Sequence, residues 1–329
     1  MPIVALAELT AGQEADFFAL LSRKEEMATR EGKPYWRVTF RDARRQVNFP
    51  VWDNSPWAVE CRERWTPGVF YKLRAMYRET TYGPQLEIRR IREVADADAA
   101  DGFDPAMCLP QSRFEPRAMY DELLALAREK IATDVLRGLV ESILQAHEEA
   151  LLRLPAARRN HHAYVGGWLE HTLSVTRTAT FLAEKYAQLY PDLQPPLDLS
   201  MVVAGAILHD IGKLRELDPQ PELANYTAEG ELVGHILLGR DIVREASVGV
   251  PLPADLRLRL EHLILAHQRL PEWGSPKPPM TPEALLVHYA DDADAKFAIM
   301  AGILRDDATP GVVTSEKNLL RQKVYRGER

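Results

Sequence analysis

The run "ILHDIGKL", Ile207–Leu214, sets an imidazole, His209, beside a carboxylate, Asp210, at the end of an otherwise apolar segment, "MVVAGAILHDIGKL". Burying that pair costs free energy unless each group has a partner, and a cation satisfies both. Other segments carry a histidine on a helical apolar stripe. In "GGWLEHTLSVTRTATFLAEKY" His171 falls in line with Trp168, Val175, Ala179 and Leu182, and in "GELVGHILLGRDIVREA" His235 falls in line with Leu232, Ile236, Gly239 and Val243. "LRLEHLILAHQ" places His262 and His267 among leucines, and "LLVHYADDADAK" supplies Asp291, with Asp294 one turn later. One such histidine alone reads as a hydrogen-bonded core residue, and the aspartates alone as a solvated helix face. Successive helices that each bring one to a buried side read as a shared metal site. Imidazole nitrogen with carboxylate oxygen suits manganese, cobalt, zinc or iron better than calcium.

The elements that position these residues fall into two parts. The first alternates in strand fashion, in "YWRVTFRD" (Tyr35–Asp42), "QVNFPVWD" (Gln46–Asp53), "VFYKLRAMYRE" (Val69–Glu79) and "PQLEIRRIREV" (Pro84–Val94). Five or so short strands within residues 1–94 predict a small β-barrel of the oligonucleotide-binding (OB) type, with a β-sandwich or SH3-like barrel as the alternative. Residues 95–118 are acidic and then proline-punctuated, and read as a linker. From residue 119 to 310 the pattern is helical nearly throughout, interrupted at Tyr190–Asp198 and at the five-proline stretch Pro271–Pro282. Residues 311–329 form a basic tail. The fold class expected is therefore a small β-barrel followed by an all-α domain.

A chain of 329 residues with 46% hydrophobic content has material for a core in each part. Two cysteines, Cys61 and Cys108, do not make a disulfide framework, and no apolar run approaches the roughly 18 residues of a membrane span. A cytoplasmic location and no membrane partner follow as expectations. Residues 1–94 hold 16 Lys+Arg against 13 Asp+Glu, whereas the remainder holds 25 against 35. A mildly basic front on an acidic body fits a binding module joined to a metal-using domain.

The order His171, His209-Asp210, Asp291 resembles the HD superfamily of metal-dependent phosphohydrolases, whose all-helical fold binds divalent cations. The segments "NHHAYVGGWLEHTLSV", "AGAILHDIGKLREL", "YTAEGELVGHILLG", "LILAHQRLPEWGSPKPPMTPEALLVHYADDADAK" and "GKPYWRVTFRDARRQVNFPVWD" are together similar to the YhaM-type bacterial 3′-to-5′ exoribonucleases. The likeness spans roughly residues 9–296. One departure stands out: relatives have a second histidine followed by glycine after the position of His267, where this chain has Gln268 and Arg269.

The resemblance implies hydrolysis of single-stranded RNA, and with it single-stranded DNA as a second candidate, to nucleoside 5′-monophosphates at a two-cation site. Manganese is the first expectation, with cobalt, iron, zinc or magnesium as alternatives. His171, His209, Asp210 and Asp291 would hold the first cation, His235 and His267 the second, with Asp210 as the bridge; the resemblance selects His267 over His262. His147 and His288 read as structural. Lys213 is a candidate phosphate contact or a helix-ending surface lysine. His161 and His162 are candidates for protonating the leaving oxygen or touching substrate. In the front domain Lys33, Tyr35, Trp36, Arg37, Phe40, Arg44 and Trp52 are the candidate RNA-binding residues. Strand alternation puts Tyr35 and Arg37 on one face and Trp36 and Phe40 on the other, so about half of the aromatics belong to the core. The competing functions are an HD enzyme acting on a nucleotide or cyclic dinucleotide, and a non-catalytic nucleic-acid-binding protein with a structural metal. A homo-oligomer is left open.

Overall fold

The computed structural model describes residues 3–29, 31–81, 83–157, 162–218, 225–307 and 309–328. The chain divides into two compact units, Met1–Gln111 and Ser112–Arg329.

The first unit is a five-stranded antiparallel sheet of β1 (Glu14–Ala28), β2 (Pro34–Arg41), β3 (Gln46–Trp52), β4 (Phe70–Thr80) and β5 (Gly83–Glu93), with one helix, α1 (Ala58–Arg64), between β3 and β4. The sheet order is β3-β2-β1-β4-β5. The β1 strand serves both halves: Glu14–Leu20 pairs with β4, and Leu20–Ala28 pairs with β2 across a register shift between Leu21 and Arg23. Such a bulge bends a strand and lets a sheet curl. The outer strands β3 and β5 come together on the far side, giving an OB-type barrel. Alternation is plain in β4, where Tyr71, Leu73, Ala75 and Tyr77 are buried, and in β3, where Val47, Phe49 and Val51 are. Sequence periodicity located four strands but not β1, whose "FFALL" run does not alternate and whose second half is charged.

Residues 95–111, read from sequence as part of a linker, are tied to this unit. The Asp98 carboxylate accepts two hydrogen bonds from Arg92 at 2.6 Å, one from Lys72 at 3.2 Å and one from the Ala95 N–H at 2.9 Å. Phe103 packs against Phe18 and Phe70.

The second unit is helical: α2 (Pro116–Lys130), α3 (Asp134–Ala146), α4 (Glu148–Arg153), α5 (Gly167–Leu189), α6 (Leu199–Leu208), α7 (Lys213–Glu216), α8 (Ala228–Leu232), α9 (His235–Ala246), α10 (Ala254–Ala266) and α11 (Pro282–Asp306). The centre is α6, in which every residue from Ser200 to Leu208 is buried, as an all-round apolar helix requires. Helices α5, α10 and α11 pack around it. Gly205 permits the close approach of α10, because a Cβ there would stand 2.3 Å from Leu263 Cδ1. Gly212 does the same for α9, where a Cβ would meet the His235 carbonyl at 1.9 Å.

Leu232 departs from the expected stripe. The chain breaks at Gly234, with φ 79°, so Leu232 ends the separate α8 and is 86% exposed. Beyond α11, the Thr314 and Arg326 amides pair with the Val324 and Val312 carbonyls. The Arg326 guanidinium meets Asp307 Oδ1 at 2.6 Å, so these tail residues are folded back rather than loose. No helix among the described residues is long and apolar enough to cross a membrane.

Candidate metal centre and nucleic-acid face

Five elements deliver the polar residues that the sequence sets among apolar ones. His171 lies in the second turn of α5, His209 and Asp210 in the turn that ends α6, His235 at the first position of α9, His267 just past α10, and Asp291 in α11. His171, His209 and His267 are fully buried and Asp210 is 2% exposed. The Trp168 Nε1–H donates to the Asp210 carbonyl at 3.0 Å, fixing the turn that carries the HD pair.

Asp210 faces two ways. Its Oδ2 stands 3.7 Å from His171 Nε2 and 3.6 Å from His209 Nε2, and Asp291 Oδ1 approaches the same two nitrogens at 3.2 and 3.9 Å. Its Oδ1 stands 3.3 Å from His235 Nε2 and 3.6 Å from His267 Nε2. The triplets His171-His209-Asp210 and Asp210-His235-His267 each bring their donor atoms within 4.8 Å of one another.

The far nitrogens of the rings decide what the near ones can do. His209 Nδ1 lies 2.7 Å from the Ala206 carbonyl and His267 Nδ1 2.7 Å from the Ile264 carbonyl. His235 Nδ1 meets Glu216 Oε1 at 2.8 Å, and His171 Nδ1 meets Asp294 Oδ2 at 2.7 Å. Carbonyls and carboxylates only accept, so each Nδ1 carries a proton, and it is Nε2 that turns a lone pair inward whenever the ring is neutral. Asp210 Oδ1, His235 Nε2 and His267 Nε2 are buried without a hydrogen-bond partner. Three inward-facing orphans in a buried site cost free energy that a divalent cation removes, so this donor set fits a metal.

Charge follows the same layout. Burial disfavours the Asp210 anion, but Lys213 and then His209 outweigh it and hold the carboxyl well below its usual range. Burial pushes His209 down to about 4 despite its carboxylate neighbours. Burial also opposes charge on His171, yet Asp291 and Asp294 outweigh it and raise this ring to about 9. The carboxylates thus favour positive charge between them.

Lys213 is buried at 6% exposure, its Nζ 2.7 Å from Asp210 Oδ2 and also on the Ala156 carbonyl. It is not the surface lysine that a helix-ending reading supposes. His161 lies outside the described residues. His162 is engaged on both ring nitrogens, Nδ1 with the Tyr164 hydroxyl at 2.7 Å and Nε2 with Asp294 Oδ2 at 3.1 Å. His262 stays apart from the cluster, its Nε2 accepting from the Met280 N–H at 2.9 Å. His288 Nδ1 meets the His267 carbonyl at 2.7 Å, and His147 lies at the junction of α3 and α4. Sequence reading missed Glu216 as the partner of His235; its only local signal is a carboxylate one helical turn past Gly212.

On the barrel, Tyr35 and Trp52 are cross-strand partners with ring centroids 4.9 Å apart, and Trp52 is 46% exposed. The Arg37 guanidinium donates to the Tyr35 hydroxyl at 3.3 Å on the same outer face. Phe40 is fully buried against Phe49, Trp65 and Tyr71, so it belongs to the core and is not available to a base. Trp36 is partly buried against the same core under Lys24. Lys33 and Arg44 are exposed at the turns flanking β2.

A family model described as HD domain matches residues 168–296, so the helical unit contains an HD domain, the domain of metal-dependent phosphohydrolases. A second model, described as "Putative helicase", matches residues 119–215. Among solved structures, the second OB-fold domain of replication protein A from Methanococcus maripaludis is similar over 29% of this chain and 96% of its own, at 12% identity and TM-score 0.22.

Proposed function

We propose that the protein is a metal-dependent 3′-to-5′ exoribonuclease of the YhaM type, releasing nucleoside 5′-monophosphates from single-stranded RNA. The observation that carries this reading is Asp210, whose two oxygens face two separate histidine pairs. In this reading His171, His209, Asp210 and Asp291 hold one cation, and Asp210, His235 and His267 hold the other. Bound divalent cations, manganese first among them, supply Lewis acidity toward the phosphoryl oxygens and a water of lowered pKa.

The chain's own residues do the rest. Ala206, Ile264, Glu216 and Asp294 each hold a proton on one Nδ1 and so aim four Nε2 lone pairs inward. Lys213 keeps Asp210 ionised and acts through it rather than on a phosphate. His162, engaged on both sides, positions Asp294 rather than protonating the leaving oxygen. The apolar wall of α6 keeps bulk water from the ligand side chains. Trp52, Tyr35 and Arg37, flanked by Lys33 and Arg44, offer the barrel's stacking and phosphate contacts to a single strand.

A manganese-dependent time course on 5′-labelled single-stranded RNA tests the reading, run beside Asp210→Ala and a 3′-blocked substrate. A descending ladder that vanishes with the variant and with the block is expected. Intact RNA under both manganese and cobalt would overturn it and redirect attention to small nucleotides.

A further inference from the structure

The loop after His267 takes no part in the ligand set, yet it is rigidly built. Arg269 sits at φ 68°, in the left-handed region that a residue with a Cβ adopts at a cost. The turn around it is clamped: the Gln268 N–H donates to Oγ of the fully buried Ser275 at 3.1 Å, and the Ser275 N–H donates to the Leu270 carbonyl at 3.2 Å. Prolines at 271, 276, 278 and 279 stiffen the segment further. At Gly274 a Cβ would stand 3.5 Å from Ile236 Cδ1, one residue beyond His235.

No side-chain contact among the described residues accounts for the arginine. Its exposed guanidinium makes no ion pair or hydrogen bond with any described residue. Four residues on, Trp273 is 47% exposed on the short turn Pro271–Trp273. Lys296 Nζ lies 5.9 Å from its ring centroid, on the helix that carries Asp291. The loop is thus framed by the elements that deliver His267, His235 and Asp291. Two residues of chain keep the Arg269 Cα within about 7 Å of that of His267.

A left-handed residue commonly ends a helix, but it is usually glycine, so an exposed arginine in that position after α10 carries a backbone cost that points to a use for its side chain. A planar cationic fork recognises phosphate oxygens, and a fixed, exposed indole offers a face to a base. We propose that Arg269 and Trp273 form a nucleotide subsite at the rim of the metal centre, the guanidinium on a backbone phosphate of single-stranded RNA and the indole against a neighbouring base. This rests on the reading of the chain as acting on single-stranded RNA, but it is tested by binding and not by cleavage.

The experiment is a fluorescence-anisotropy titration of a 5′-fluorescein-labelled adenosine tetraribonucleotide into full-length Asp210→Asn protein with manganese, between 50 and 200 mM salt. It is repeated on the wild-type chain in chelator, which keeps the test open should Asp210→Asn fold poorly. Arg269→Gly should weaken binding about tenfold and reduce the salt slope by about 0.7, the share of one phosphate on a single strand. Its melting temperature should equal or exceed the parent's, because glycine adopts the left-handed conformation freely. Trp273→Ala should weaken binding roughly five- to hundredfold, and Arg269→Lys should keep the salt slope. Binding within twofold of the parent for both Arg269→Gly and Trp273→Ala overturns the subsite, as does a melting temperature lowered by several degrees in Arg269→Gly. RNA bound in an Arg269-dependent way but never cut by the wild-type enzyme would leave the subsite standing and remove the exonuclease reading.

Discussion

The Oδ2 of Asp294 lies 2.7 Å from the Nδ1 of His171, and the same oxygen lies 3.1 Å from His162. One carboxylate of α11 therefore orients the first ligand of the cluster while touching no inward-facing donor itself. Asp294→Asn should leave the HD unit folded and lower manganese affinity by about 10- to 100-fold, the usual cost of losing such a partner. Isothermal titration with manganese, beside a thermal melt, checks this. Unchanged affinity would show that packing alone orients His171.

The orphaned donors around Asp210 give the second prediction. A cation that binds only the folded chain adds about 2.7 kcal/mol when present at 100 times its dissociation constant. Chelation should therefore lower the melting temperature of the helical unit, and manganese should restore it. Asp210→Ala should melt at the same temperature with and without metal, since the two triplets that meet at Asp210 lose their shared member.

Asp98 makes the front unit acid-sensitive. Hydrogen bonds from Arg92, then from the Ala95 amide and Lys72, hold its carboxyl well below the ordinary carboxylate value. A folded-state pKa below the unfolded one contributes stability above about pH 4 that is lost as pH falls toward the folded value. The barrel transition should weaken between about pH 4 and pH 2. Asp98→Asn should lose about 1–3 kcal/mol at neutral pH and show a shallower acid dependence.

Both thiols should be silent in the native protein. Burial pushes Cys61 up to about 11 and Cys108 up to about 12, so little thiolate exists near pH 8 and neither sulfur is open to a reagent. A disulfide-exchange dye should report no reactive thiol until denaturant is added, and then two.

On the barrel, two aromatic residues of adjacent strands should behave oppositely. Trp52→Ala removes an exposed ring and should weaken RNA binding about five- to hundredfold with little change in stability. Phe40→Ala empties a fully buried site and should cost about 3–5 kcal/mol of folding free energy. Urea unfolding and anisotropy titrations separate the two effects.

What could be read from the sequence was whatever is written in one stretch of chain. Imidazoles on apolar stripes at 171, 235 and 267, and an HD pair ending a wholly apolar helix, advertise buried polar donors, because helical periodicity is a local property. Alternation likewise marked β2 to β5, whereas β1 escaped because its apolar run and charged run follow one another instead of alternating. Only the tertiary structure decided that Asp210 divides its two oxygens between two histidine pairs, that Phe40 faces inward, and that Lys213 is buried. Only it paired His171 with Asp294, 123 positions away, and put Arg269 in the left-handed turn after α10 with a guanidinium that meets no partner among the described residues. A local pattern tells which face of an element is buried. Which groups meet there depends on packing between elements far apart in the chain, and that no stretch of sequence encodes alone.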